Sequence, residues 1–399
     1  MRTLVTASAR FAITNDGNLW TPNPSLSYKF WSRYLDVYDE VNLLVRAKPY
    51  ESPPPGWNKA SGERIKPLPI PDFQGASGLI KNYAQIKKTA VEALADAEAV
   101  HLRIPCEIGG IIWRSLAAQR PYGVEVVGDP YDVFAPGSYK HPLRPFFRWW
   151  SVWELQHQCI KANAAAYVTQ HALQRRYPPQ TEAFSTHFSS INLPGSAFVN
   201  APRLLHTDLK SLTVISVGTL AQLYKAPDVL INAVATCVEE GLDLRLIWVG
   251  DGIYRKELEK LVTALGLDKR VKFCGHLANR DAVIKQLDRA DVFVLPSHQE
   301  GLPRAMIEAM ARGLPCIGST VGGIPELLPS EDMVTPGDIN ALAQKIRQVV
   351  TNPERMASMS VRNLEKAKNY QDVVLQKRRI AFYSHVREKT QSWLYQRNI

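Results

Sequence analysis

The sequence lacks any apolar run of about 18 residues, so no helix able to cross a membrane is expected. Residues 1–10 are too few and too polar for a secretory signal, and they are predicted to form the first strand instead. Only five cysteines occur, scattered through 399 residues and without the spacing of a metal site. Free thiols indicate a reducing environment, so we expect a cytoplasmic protein without a bound metal.

The sequence also lacks a recognised nucleic-acid module and a compact basic-aromatic repeat, although its formal charge is +10. Anionic substrates or an anionic membrane face would explain this charge as well, and part of it can be solvated surface. We therefore expect no nucleic-acid partner.

Strand–helix alternation is present in both halves of the chain. An apolar content of 45% and a charged content of 22% are typical of globular proteins, and the length suffices for two domains with a core each. The alternation predicts parallel, doubly wound sheets. Residues 192–210 are rich in turn-forming residues and are predicted to link the two domains.

The most informative stretch, 297–313, follows the apolar residues 291–296 and is predicted to be a strand–loop–helix corner. Gly301 allows the backbone to turn and a ligand to approach closely. Pro303 suits the first helical turn, where its missing N–H is not needed. The remaining N–H groups at the helix start, with the positive end of the helix dipole, favour a phosphate there.

Two carboxylates, Glu300 and Glu308, lie eight residues apart across this corner. Either could accept hydrogen bonds from hydroxyl groups, one on each side of the predicted phosphate. Hydroxyl, phosphate and hydroxyl in that order describe a nucleotide sugar. Taken alone, the pair is more often a helix cap and a residue on a solvated face.

The corner, followed by residues 322–326 (Gly-Gly-Ile-Pro-Glu), resembles the signature of retaining GT-B glycosyltransferases of family 4. The resemblance is strong over 212–350 and architectural in the first half. It implies an α/β, GT-B fold with two Rossmann-like, doubly wound domains facing across a cleft. Residues 1–195 would bind the acceptor and residues 211–370 the nucleotide sugar, with a final helix at about 371–399 crossing back onto the first domain.

The resemblance also assigns roles in the donor site. Glu300 would hold the sugar hydroxyls, Glu308 the ribose hydroxyls, and Lys225 would take up charge on the leaving diphosphate, so Glu300 and Lys225 are predicted to be catalytic. Thr219 stands where the family has an arginine, so one positive charge is missing, and Arg304 could compensate. The other predicted donor-binding residues are Gly218, Gly250, Gly252, His276, Ser297, Gly301, Leu302 and Pro303.

The first half offers acceptor-side candidates at three predicted strand ends. Asp16 and Gly17 lie in the turn after the first strand, which could equally be an ordinary surface turn, and Glu107 follows a later strand. Asp129 is the third predicted catalytic residue, because the resemblance places it at a strand end that usually reads His-Asp. Gly128 replaces that histidine and puts the family's contact to the sugar 6-position in doubt.

Two further segments have more than one interpretation. Residues 48–72 are rich in proline and are predicted to be irregular, either a mobile lid or an insertion. Residues 140–153 combine arginines with aromatic side chains. They would either dock on the inner face of a membrane or pack their tryptophans into the first domain.

The resemblance thus implies a retaining, metal-independent hexosyltransferase without a cofactor. It would move a hexose from an NDP-sugar, with UDP-glucose expected first on family frequency, to a saccharide or lipid-linked saccharide in bacterial polysaccharide or exopolysaccharide biosynthesis. No Asp-x-Asp metal motif occurs where a metal-dependent transferase would need it. The alternatives are a non-catalytic nucleotide-sugar or polyanion-binding protein and another NDP-sugar-processing GT-B enzyme, such as an epimerase or a phosphorylase.

Overall fold

The computed structural model describes residues 1–134, 141–203, 211–277 and 279–397. The chain divides into two compact units, Met1–Ser190 with Leu375–Ile399, and Ile191–Val374. Residues 204–210 of the predicted linker and Lys140 of the predicted basic-aromatic segment lie outside the described residues.

The first unit is built on a mostly parallel sheet. Its strands are β1 (Arg2–Thr14), β2 (Leu19–Thr21), β3 (Glu40–Tyr50), β4 (Asn58–Lys59), β5 (Ile65–Pro71), β6 (Ala99–Ile104), β7 (Gly123–Val126), β8 (Ala164–Tyr167) and β9 (Phe184–His187). The parallel strands run in the order β5-β3-β1-β6-β7-β8-β9, while β2 and β4 form an antiparallel extension on β1. The central strands are buried on both faces, as the helix-covered sheet of an α/β domain requires.

Helices of varied length cover this sheet. They are α1 (Tyr28–Trp31), α2 (Gly75–Ala95), α3 (Glu107–Ser115), α4 (Pro130–Val133), α5 (Arg144–Ile160) and α6 (Ala172–Arg176), with 3-10 helices at Pro24–Leu26 and Ser32–Asp36. The chain between β2 and β3 therefore forms three short helical segments and no continuous helix.

The proline-rich segment 48–72 contains the end of β3, the short β4 and the whole of β5, so the prediction that it is irregular is wrong for these residues, while 51–57 and 60–64 lie outside the strands. Strand β5 is an edge strand that pairs in parallel with β3. The Val41 N–H donates to Arg64 O, so the even-numbered residues of β5 bond to β3. Pro67, Pro69 and Pro71 alternate on the outward side, where no ladder N–H is needed.

The second unit is a doubly wound parallel sheet. Its strands are β10 (Leu212–Val217), β11 (Leu244–Val249), β12 (Val271–Phe273), β13 (Val292–Leu295), β14 (Cys316–Ser319) and β15 (Met333–Val334). Its helices are α7 (Pro227–Glu239), α8 (Arg255–Ala264), α9 (Arg280–Asp288), α10 (Arg304–Ala311), α11 (Ile339–Val350) and α12 (Pro353–Lys368), with 3-10 helices at Gly195–Ala197, Leu223–Lys225, Ile324–Glu326 and Ser330–Asp332.

The strand order of this sheet, β12-β11-β10-β13-β14-β15, reverses between β10 and β13. In an open α/β sheet the loops that leave the carboxyl ends of two such strands part to opposite faces and open a crevice. The loop after β10 and the loop after β13 therefore define where a ligand can enter this unit.

The last helix, α13 (Asp372–Arg397), packs on the first sheet from Leu375 onward. The Tyr383 ring stacks on Tyr34 with ring centroids 4.5 Å apart, and the Tyr38 hydroxyl donates to Tyr383 O at 3.0 Å. Within the described residues, no helix combines the length and the apolar character that crossing a bilayer demands.

Candidate active site

The loop after β13 carries Glu300 into the crevice of the second unit. Strand β13 is completely buried, which holds its carboxyl end rigidly, and helix α10 starts at Arg304. The Glu300 side chain is only 6% exposed. Its Oε1 accepts hydrogen bonds from Ser297 Oγ at 2.7 Å and from Lys225 Nζ at 2.5 Å.

Lys225 reaches this carboxylate from the loop after β10. A 3-10 turn, Leu223–Lys225, ends at Ala226 in the left-handed conformation (φ 52°), immediately before α7. The side chain runs past Gly218, where an added Cβ would lie 3.0 Å from Lys225 Cγ. The position of Lys225 in the sequence predicts neither how far its side chain extends nor that the side chain pairs with the Glu300 carboxylate.

Ser297 is fully buried, and its predicted contact with the donor stays a prediction. Its hydroxyl donates to Glu300, and its carbonyl accepts a hydrogen bond from Ser319 Oγ at 2.5 Å. Ser297 is therefore a positioning residue for Glu300. Ser319 had no sequence signal, because nothing local connects the end of β14 with the end of β13.

Two pairs of glycines, Gly250 with Gly252 and Gly322 with Gly323, have packing roles that the sequence did not predict. A Cβ on Gly250 would lie 1.9 Å from Gly218 O, and one on Gly252 would lie 2.0 Å from Leu220 C. These glycines therefore let two loop backbones approach each other closely, and their predicted contact with the donor stays a prediction.

The glycine pair at 322–323 supports the turn that follows Glu300. A Cβ on Gly322 would lie 1.9 Å from Glu300 O, and the Gly323 N–H donates to Gly301 O at 2.6 Å. Only a chain without side chains at this point can lie so close to the turn. Gly322 and Gly323, which belong to the motif that carried the resemblance, therefore pack against the Glu300 loop and stabilise its turn.

Glu308 lies in α10, one turn beyond the helix start, and is half-buried. Burial raises the pKa of its carboxyl group, and the charges of Arg280 and Arg304 oppose that shift. A half-buried carboxylate with a raised pKa suits a ligand that supplies hydrogen-bond donors on binding. The structure keeps Glu308 on the same strand–loop–helix corner as Glu300.

The remaining donor-side candidates differ in exposure. Leu302 and Pro303 are buried, whereas Arg304 and His276 are exposed. Thr219 is exposed as well, and its Oγ1 accepts a hydrogen bond from Ala221 N at 3.1 Å. The threonine hydroxyl therefore stabilises its own loop.

In the first unit, Asp129 has a complete set of partners. Its Oδ1 accepts hydrogen bonds from Tyr131 N at 2.9 Å, as the N-cap of α4, and from Tyr177 Oη at 2.5 Å, while Oδ2 pairs with Arg176. Asp129 thus caps α4 and connects it to Tyr177 and Arg176 within the first unit. Its predicted catalytic role stays a prediction.

Asp16, Gly17 and Glu107 occupy simpler positions. The predicted turn after β1 is the tip of the β1–β2 hairpin. Hydrogen bonds from Thr14 and Asn18 lower the pKa of Asp16 to about 2, so Asp16 is engaged in its own turn. Glu107 is exposed at the first residue of α3.

The tryptophans of helix α5 lie on the surface. Trp149, Trp150 and Trp153 are all exposed, so the alternative that packs them into the first unit is wrong. The buried face of α5 consists of Leu155, Gln158 and Cys159 instead.

Comparison with known proteins gives one matching family and several similar proteins. Residues 211–352 match the family described as glycosyl transferases group 1. Protein CapJ of Staphylococcus aureus is 25% identical over 354 residues, which cover 86% of each chain. The putative colanic acid biosynthesis glycosyltransferase WcaL of Escherichia coli is 34% identical over 155 residues, 37% of this chain and 38% of WcaL. The solved structure of Anabaena Alr3699/HepE in complex with UDP-glucose matches with a TM-score of 0.65 at 18% identity, covering 96% of this chain and 99% of that one.

Proposed function

Since this chain is a GT-B glycosyltransferase whose residues 211–352 belong to glycosyl transferases group 1, we propose that it transfers a hexose, with retention at the anomeric carbon, from an NDP-sugar to a saccharide acceptor. The observation that carries the proposal is the pairing of Lys225 with Glu300 at the carboxyl ends of β10 and β13. These two loops open the crevice where an α/β sheet binds its ligand.

The pair is well suited to exchange partners when a donor binds. Each side chain is largely removed from water, so each needs a partner of matching charge or hydrogen-bonding capacity. A nucleotide sugar supplies both, because its diphosphate can take the ammonium of Lys225 and its sugar hydroxyls can donate to Glu300. Glu308 would accept hydrogen bonds from the ribose.

Departure of the diphosphate places negative charge near Lys225 and the N-terminal end of α10. Preorganised cations and N–H groups stabilise such charge more in the transition state than in the ground state. Lys225 and the N-terminal end of α10 therefore provide this stabilisation here. In the resembled family an arginine, at the position that Thr219 occupies in this chain, also contributes to it. Transfer without added metal is expected on this assignment.

We propose UDP-glucose as the first donor to test, because the Anabaena protein, which has a similar fold, was solved in complex with UDP-glucose. The acceptor we propose is a saccharide or lipid-linked saccharide in polysaccharide biosynthesis, in line with the name of WcaL. Arg304 is exposed at the start of α10 and is the proposed substitute for the missing arginine.

A metal-free thermal-shift panel of UDP-, GDP- and ADP-sugars, with released nucleotide assayed in the same wells, tests the proposal. We expect one nucleotide class to raise the Tm and to undergo slow hydrolysis. Lys225→Met is the matched variant, and its donor turnover should fall by about 100-fold or more. Stabilisation by a nucleotide sugar with no turnover, in the presence of saccharide acceptors, would favour the non-catalytic binding protein.

A further inference from the structure

Strand β1 changes register at the carboxyl edge of the first sheet. Residues 7–9 of β1 lie opposite the single residue Val45 of β3. Strand β1 also pairs in parallel with β6 up to Val5 and His101, and β6 ends three residues later at Ile104. Residues 7–9 are therefore level with the end of β6. Shifts of this kind re-aim side chains, and the carboxyl edge of a parallel sheet is where an α/β domain binds its ligand.

The register shift places two arginines side by side. Arg10 of β1 and Arg46 of β3 are directly paired residues of neighbouring strands. Both donate to the same oxygen, Phe73 O, from Arg10 Nη2 at 3.0 Å and from Arg46 Nη1 at 3.4 Å. Like charges opposite each other on a sheet destabilise it, and a neutral carbonyl does not offset two guanidinium charges.

One carboxylate pairs with these two cations in the part of the chain that the structure describes. Asp72 Oδ1 lies 3.2 Å from Arg10 Nε. Arg46 makes no ion pair among those residues; it donates to Phe73 O and Ser8 O, and its Nε is buried without a hydrogen-bond partner there. The two arginines and Asp72 together therefore carry a net positive charge, which a bound anion would offset.

The Arg46 guanidinium has a fixed orientation. It lies over the Phe73 ring, with its central carbon 4.8 Å from the ring centroid. A guanidinium held in this way presents its N–H edge in one direction, which suits the two oxygens of a carboxylate or a phosphate. Arg46 is half-buried, whereas Arg10 and Ser8 are exposed. An anion can therefore reach the two arginines from solvent.

Glu107 lies near the same edge of the sheet, at the first residue of α3. Burial is the main cause that raises the pKa of the Cys106 thiol to about 11, and the charges of Glu107 and Arg46 act on that pKa in opposite directions. Both charged groups are therefore close to Cys106. An exposed carboxylate beside a cationic pair accepts hydrogen bonds from hydroxyl groups, which a saccharide supplies.

We propose that Arg10 and Arg46 bind the anionic group of an acidic saccharide, a carboxylate or a phosphate, and that Glu107 accepts hydrogen bonds from its hydroxyls. The inference rests on the proposed function, because it names the class of the acceptor. A neutral saccharide would leave the two paired guanidinium groups without the counterion that their charge requires.

Thermal-shift titration without donor tests this assignment. The probes are methyl glucuronide, glucosyl phosphate, the neutral methyl glucoside and inorganic phosphate, all at equal ionic strength. At least one of the two acidic sugars should raise the Tm of the parent chain at millimolar concentration, and methyl glucoside should not. The acidic sugar with the larger shift shows whether the anionic group is a carboxylate or a phosphate.

Arg10→Gln should weaken binding of the acidic sugar by about tenfold or more, because a hydrogen bond between charged groups is lost. Arg2→Gln is the matched control and should bind like the parent chain. Arg2 lies on the same strand and pairs with an aspartate as Arg10 does, and the two side chains are 40% and 43% exposed. Arg46→Lys keeps the charge without the planar fork and should weaken binding as well.

Equal losses in the Arg10 and Arg2 variants would overturn the proposal, and so would equal shifts with acidic and neutral sugars or no shift with either acidic sugar. Inorganic phosphate that acts as strongly as the acidic sugars would also overturn it, because the saccharide would then not be recognised. Donor turnover without acidic-sugar binding would refute this inference alone. Acidic-sugar binding without any nucleotide-sugar shift would count against the transferase and leave the saccharide site standing.

Discussion

Lys225 Nζ lies 2.5 Å from Glu300 Oε1, although 75 residues separate the two in the sequence. Their side chains are 14% and 6% exposed. Two loops from the strands that flank the crevice thus meet in one desolvated ion pair. A substitution in this pair should therefore change both the free energy of unfolding of the second unit and its activity, and both can be measured.

Removing one member of the pair should destabilise the second unit. We expect Lys225→Met to lower the free energy of unfolding by about 3–5 kcal/mol, because a buried carboxylate then loses its cation. Lys225→Met/Glu300→Gln should regain most of that loss. Urea unfolding of the donor-free protein measures the cycle, and strictly additive effects would show that the two charges are not coupled.

Ser297→Ala should reduce kcat more than it raises the donor KM. The variant removes a buried hydrogen bond to the Glu300 carboxylate, and hydrogen bonds to charged groups contribute about 1.5–3 kcal/mol. The expected loss in kcat is therefore about 10- to 100-fold. Steady-state kinetics with the preferred donor check it, and a change confined to KM would indicate direct donor contact. Ser319→Ala, which removes the bond to Ser297 O, should give a smaller effect in the same direction.

Glu308→Gln should stabilise the donor-free protein and weaken donor binding. Burial raises the pKa of Glu308, so at neutral pH the folded state carries a carboxylate that the unfolded state holds more favourably. The gain in Tm should be present at pH 7 and disappear below about pH 4, where the wild-type group is protonated in both states. Thermal scans across pH measure it. An unchanged donor KM in Glu308→Ala would contradict the ribose role.

Gly250→Ala should destabilise the second unit strongly even without donor. Its Cβ would lie 1.9 Å from Gly218 O, so the loop must move. Gly266→Ala is the matched control, because Gly266 also has a positive φ, +66°, but nothing lies within 4 Å of its added Cβ. The control should lose only about 1 kcal/mol from backbone strain. Equal Tm values for the two variants would contradict the close packing of Gly250 against Gly218.

His101 should limit the acid stability of the first unit. Burial lowers the pKa of His101 to about 3, against about 6.5 in an unfolded chain. Stability from the neutral ring is therefore present above pH 6.5 and is lost as the pH falls toward 3, at about 1.4 kcal/mol per pH unit. His101→Gln should flatten this dependence in denaturant unfolding between pH 4 and 7. Parallel profiles for the two proteins would contradict the assignment.

The second unit was largely predictable because its signals are local. Each strand from Leu212 onward is a short apolar run bounded by turn residues, and the Glu300 corner is contiguous in sequence. Alternation of strands and helices then fixes a parallel sheet.

The contacts that set the site depend on residues far apart in the chain. The burial of Ser297, the bond from Ser319 and the loop against Gly250 arise only once the strands are side by side. In the first unit, β1 continues past a bulge-like register shift between Thr6 and Arg10 and ends at Thr14, four residues beyond the residues 1–10 predicted for the first strand. Neither the bulge nor the exposure of the α5 tryptophans has a local sequence pattern that separates it from its alternative.

The three outward prolines of β5 also determine what the open edge of the first sheet can do. A strand that tries to add there meets only carbonyls at positions 67, 69 and 71, because those residues have no N–H to offer. Edge-to-edge pairing between chains is thereby blocked at alternate positions along β5. A largely parallel sheet buries its edges late in folding, when crowded chains aggregate most easily. The prolines of β5 should therefore disfavour aggregation through this edge while the chain folds.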